Sequence, residues 1–96
     1  MIEVTLVSKD DYPLRPLIET ALSNELRLLE AGIRQTEQRL REFEHKYGYS
    51  TEEFIRAYEN DEIEETIELA EWIGEHRLLE RLRKKANALR GVRFAN

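Results

Sequence analysis

Between residues 22 and 47, Leu22, Leu26, Leu29, Ile33, Thr36, Leu40, Phe43 and Tyr47 follow one another at intervals of 4, 3, 4, 3, 4, 3 and 4. That spacing is a heptad seam, and it puts all eight positions on one face of a helix. Arg34, Glu37, Arg39, Arg41, Glu42 and Glu44 fall between them and form the solvated side. Upstream, Leu14, Leu17, Ala21 and Leu28 make a second apolar stripe, rotated away from the first. A helix that is apolar on two faces has to bury both. One stripe can be covered by the rest of this 96-residue chain; the other asks for a second subunit or a different protein.

Local signals divide the chain into elements. Ile2, Val4 and Leu6 alternate with Met1, Glu3 and Thr5, which predicts a strand over residues 1–7, joined by a polar link to Pro13. Pro16 suits the first turn of a helix, where its missing N–H is not needed. The first long helix is therefore expected over 13–47, closed by Gly48 as a C-terminal cap. Ser50-Thr51-Glu52-Glu53 is a capping box, in which the Ser50 hydroxyl takes the third helical N–H and Glu53 reaches back to the Ser50 N–H. It opens a short helix, 51–60, with Phe54, Ile55 and Tyr58 on its apolar edge. Asn60-Asp61 breaks that helix, and Asp61 with Glu64 reads as the start of a third, over 62–90. Its expected seam is Ile63, Ile67, Ala70, Gly74, Leu78, Leu82, Ala86 and Leu89, flanked by Leu69, Trp72, Ile73 and Leu79. The expected fold is one mainly α domain: an antiparallel, coiled-coil-like hairpin of two long helices with a capped elbow, a short N-terminal strand, and a dimeric state.

Composition narrows the function. Charged residues are 36% of the chain and the formal net charge is -5, which disfavours a general binder of nucleic acid or membrane surface. With no cysteine, disulfide scaffolds, thiolate zinc sites and cysteine nucleophiles are excluded. No apolar run reaches the ~18–20 residues that span a bilayer, and the first ten residues lack the basic start and apolar run of a secretory signal. A cytoplasmic protein is expected. Catalytic motifs are absent: there is no phosphate-cradling glycine loop and no glycine-rich elbow behind a serine. Glu42 and His45 have the E-x-x-H spacing of di-iron bundles, but the other histidine, His76, has Ile73 at the matching place. His76 is instead spaced to pair with Glu80. No enzyme, cofactor or metal site is expected, and a small metal-binding helical bundle centred on Glu42 and His45 is kept only as an alternative.

Charge is polarised along the third helix. Glu62, Glu65, Glu68 and Glu71 crowd its start and form a candidate acidic surface for a basic partner. Its end is basic, and Arg81, Lys84 and Lys85 form the alternative, a phosphate-binding patch for nucleic acid. Acids at a helix N-terminus and bases at its C-terminus also simply complement the helix dipole. The candidate partner or dimer interface comprises Ile2, Val4, Leu6, Leu14, Leu17, Ala21, Leu28 and Trp72. The strand has three available pairings: the segment from Gly91 to Ala95, its symmetry mate, or a sheet edge of another protein.

The elbow carries a resemblance. Lys46-Tyr47-Gly48-Tyr49-Ser50-Thr51-Glu52-Glu53-Phe54, followed by Asn60-Asp61-Glu62, resembles the K-Y-G-x-S-x-E-E-F signature of small prokaryotic antitoxin-like helical proteins. The stretch from Leu26 to Ile33 and the pair Glu71-Trp72 are similar to that pattern too, so the likeness covers about residues 24–82. It implies a helical antitoxin that binds and blocks a cognate toxin.

Overall fold

The computed structural model describes residues 2–95. Five elements follow in order: β1 (Ile2–Val4), α1 (Leu14–Tyr47), α2 (Thr51–Glu59), α3 (Ile67–Arg90) and β2 (Val92–Phe94). α1 and α3 pack as a hairpin, α2 closes the elbow, and the rod measures 60 × 22 × 18 Å. At 1.5 Å per residue α1 accounts for about 50 Å of that length. Met1, part of the expected strand, lies outside the described residues. The strand itself is shorter than expected and ends at Val4. Its partner is β2, parallel, with Ile2 opposite Val92, Glu3 opposite Arg93 and Val4 opposite Phe94.

The helix ends follow local chemistry. Pro13 precedes α1 in extended conformation, and Pro16 sits in the first turn. Gly48 adopts φ 78°, and its N–H donates to Glu44 O at 2.9 Å. A left-handed residue at this place closes a helix, and glycine enters that region without steric cost. Ser50 Oγ accepts from Glu53 N at 3.1 Å, as the capping box requires. The Glu53 carboxylate takes the Ser50 hydroxyl, 3.2 Å away, rather than the Ser50 N–H.

The third helix starts later than expected. Asp61 is no N-cap: at φ 54° it is left-handed, and its N–H donates to Tyr58 O while Glu62 N donates to Ala57 O. These bonds finish α2, whereas an N-cap needs extended backbone. Thr66 has that conformation, and its Oγ1 accepts from Leu69 N at 3.2 Å. Residues 60–66 are therefore loop.

The first half of α3 is rotated from the expected seam, whereas in the second half Ala86 is buried and Leu78, Leu82 and Leu89 are half-buried, as that seam requires. The buried residues of α3 are Leu69, Trp72, Ile73, Leu79 and Ala86; Ile67, Ala70 and Gly74 face solvent, with Ile67 83% exposed. The largest side chain sets the rotation. Trp72 is fully buried, its ring stacked at 4.0 Å on Phe54 and at 5.4 Å on Phe43, with Tyr47 and Tyr49 alongside. The indole N–H donates to Thr51 Oγ1 at 3.0 Å, so its one polar atom is satisfied within the core. The seam of α1 is as expected: Leu29, Thr36 and Leu40 are buried, and Ile33, Phe43 and Tyr47 pack partly buried against the core. Thr36 tolerates burial because its hydroxyl donates to Gly32 O at 2.8 Å.

Charges flank this seam in two heptad-spaced ladders. On one side Lys46 meets Glu68 at 2.5 Å and Arg39 meets Glu75 at 3.3 Å. On the other, Glu37 meets Arg83 at 3.1 Å and Glu30 meets Arg90 at 3.3 Å. The acidic start and basic end of α3 thus face complementary charges on antiparallel α1, the pairing logic of coiled-coil flanking positions.

Candidate interaction surface

Because α3 ends at Arg90, beside Glu30, it does not run along the first turns of α1. Ile18, Leu22 and Leu26 are half-buried on the inner side of this segment, and the Arg15 guanidinium lies over the Phe94 ring at 5.5 Å. The β1–β2 ribbon therefore caps this end of the rod. Each strand has one neighbour among the described residues, so both outer edges of the ribbon are open. Two-stranded sheets of this size are marginal without further packing.

The outer side of the same segment is apolar and uncovered. Leu17 is 51% exposed, Leu28 is 69% exposed, and Ala21 between them is exposed. Val7 and Tyr12 in the link are exposed as well, and they share with Leu14 and Leu17 a shallow depression of ≈ 580 Å³. Of the residues expected at an interface, Ile2, Leu17, Ala21 and Leu28 are exposed, while Val4, Leu6 and Leu14 are half-buried. All seven belong to this end of the molecule. Trp72 does not: it lies in the elbow core, fully buried within the chain, and offers no surface to a partner. The exposed Val7 and Tyr12 were not among the expected residues: Val7 stood at the end of an expected strand that stops at Val4, and a link without periodicity gives no sign that it presents Tyr12.

The acidic candidates divide. Glu68 is held by Lys46 and Glu65 accepts from the Tyr58 hydroxyl at 3.4 Å, whereas Glu62 and Glu71 are exposed. A hydrogen bond from Lys46, helped by one from Tyr47, holds the Glu68 carboxyl below its ordinary range; burial opposes this. The same bond raises Lys46. Tyr47 is raised first by burial and then by its bond to Glu68. Arg39, Glu42, Phe43, Lys46, Glu71 and Glu75 also line an open groove of ≈ 520 Å³ between the long helices. Arg81, Lys84 and Lys85 are exposed on the outer side of α3, while Arg83 and Arg90 are engaged with α1.

Glu42 and His45 are exposed on α1, and His76 Nε2 pairs with Glu80 at 3.0 Å. Among the described residues no three His, Asp or Glu are grouped to hold a metal ion, and no helix is long and apolar enough to cross a membrane. No protein-family model, curated protein or solved structure matches this chain.

Proposed function

We propose that the protein is a non-catalytic protein–protein interaction module of the cytoplasm, working as a homodimer that engages a second protein. One observation carries this reading: Leu17 and Leu28 stand exposed on α1, together with Val7 and Tyr12, beside a ribbon with two open edges. Apolar helix faces and open strand edges are both common recognition elements. The likeness of residues 46–54 to antitoxin-type proteins suggests the kind of second protein, a toxin encoded by an adjacent gene. Light scattering tests the core of the proposal. A mass above one chain that falls to one chain in Leu17→Glu or Leu28→Glu, with helical circular dichroism retained, is expected. Co-expression with the product of the adjacent reading frame tests the rest: a stable complex and restored growth support an antitoxin, and no complex removes that role.

The exposed Arg81, Lys84 and Lys85 favour one competing reading, a nucleic-acid contact. Such binding has to weaken steeply with salt and vanish when the three are neutralised. Binding of that kind would replace the present proposal.

A further inference from the structure

The exposed side of α1 has a symmetry that its inner side lacks. Leu17, Ala21, Asn24, Leu28 and Ala31 recur at 4, 3, 4 and 3, and all five are exposed. Beyond Ala31 the same line continues as Gln35, Gln38 and Glu42, so its apolar part is short and Asn24 marks its middle. Reversing the order leaves the pattern of sizes complementary: large, small, amide, large, small becomes small, large, amide, small, large. We propose that this face binds a second copy of the chain through an antiparallel α1–α1 contact centred on Asn24. The inference rests on reading this end of the molecule as an interaction surface, and it names the occupant and its register.

In that register Leu17 of one copy packs on Ala31 of the other, Ala21 packs on Leu28, and the two Asn24 side chains meet on the two-fold axis. Each leucine is matched by an alanine, so the helices approach closely without a clash or a void. A single buried asparagine in an apolar seam fixes register, because any slip leaves its amide unpaired. Asn24 Oδ1 accepts from Arg27 and has a second lone pair, which can take the NH₂ group of the second copy's Asn24.

One charged group and its opposite also fit the same register. Arg34 of one copy reaches the level of Leu14 of the other, just past which stand Asp10 and Asp11. Among the described residues neither the Arg34 guanidinium nor these two carboxylates has a partner within the chain. The seam from Leu17 to Ala31 is only about 21 Å long. By itself such a strip is short of the roughly 1,200 Å² that a stable dimer buries. Val7 and Tyr12, which share a depression with Leu17, extend it at both ends of the symmetric contact.

The absence of native cysteine makes the test direct. Asn24→Cys and Leu17→Cys, both at exposed positions, are oxidised separately, and Leu17→Cys is also mixed with Ala31→Cys. A disulfide needs Cα atoms within about 7 Å. The antiparallel register brings the two position-24 residues together but keeps the position-17 residues about 21 Å apart along the axis. Expected are a cross-linked dimer from Asn24→Cys, none from Leu17→Cys, and a mixed dimer from Leu17→Cys with Ala31→Cys. Cross-linking of Leu17→Cys with itself overturns the antiparallel register while leaving the module dimeric. A native chain of single-chain mass at every concentration, with no cross-link in any arm, overturns the second copy as occupant. Complex formation with the adjacent gene's product is measured independently of all three arms.

Discussion

Thr51 links two parts of the elbow: its N–H donates to Glu44 Oε2 at 2.7 Å, and its hydroxyl accepts the Trp72 indole N–H. Replacing it by valine keeps the shape and removes the acceptor, leaving a buried donor unpaired. Thr51→Val is therefore expected to lower unfolding stability by about 1–3 kcal/mol in urea titration. Ser50→Ala removes the cap of α2 and is expected to cost about 1 kcal/mol by the same measurement. Leu40→Ala leaves a cavity in the main cluster and is expected to cost about 2–5 kcal/mol. Ser50 and Gly48 were legible in the sequence, because capping depends on a few adjacent residues. The Thr51–Trp72 bond was not, since its partners lie 21 positions apart and nothing local announces it.

At the scale of elements, the ladders between α1 and α3 engage Glu68 and Glu75 near the start of α3 and Arg83 and Arg90 near its end, while Glu71, Arg81, Lys84 and Lys85 stay exposed. Glu68 titrates below its ordinary range, so the stability it contributes is present above its unfolded-state value and is lost as pH falls through its lowered one. Lys46 and Tyr47 titrate above theirs, so their contributions are lost as pH rises through the raised values. Melting temperatures of wild type and Glu68→Gln are expected to differ at neutral pH, to converge in acid, and to differ less in high salt, which screens exposed pairs. The seam of α1 was readable because its heptads are apolar almost throughout. That of α3 was hidden in its first half: the buried residues Leu69, Trp72, Ile73, Leu79 and Ala86 keep no regular heptad spacing. A reading that follows apolar residues alone drifts to Ile67, Ala70 and Gly74, which face water.

For the whole molecule, order should be graded along the rod. The core cluster lies at the elbow, around Leu40, Phe54, Leu69 and Trp72, while the opposite end has a two-stranded ribbon and half-buried side chains. Amides of 33–44 are expected to exchange more slowly with deuterium than those of 14–22, because local opening costs least where few apolar contacts are broken. The α1–α1 contact adds that protection over 17–31 rises with protein concentration. Local pattern by itself determined the helical hairpin, its elbow, the caps of α1 and α2 and the inner seam of α1, since each depends on residues within a turn or two of one another. Only tertiary structure decided the rotation of the first half of α3, the burial of Trp72 and the parallel pairing of β1 with β2. Those outcomes come from which large side chain finds a cavity and which distant backbone lies within hydrogen-bond reach, and sequence spacing along one element carries no record of either.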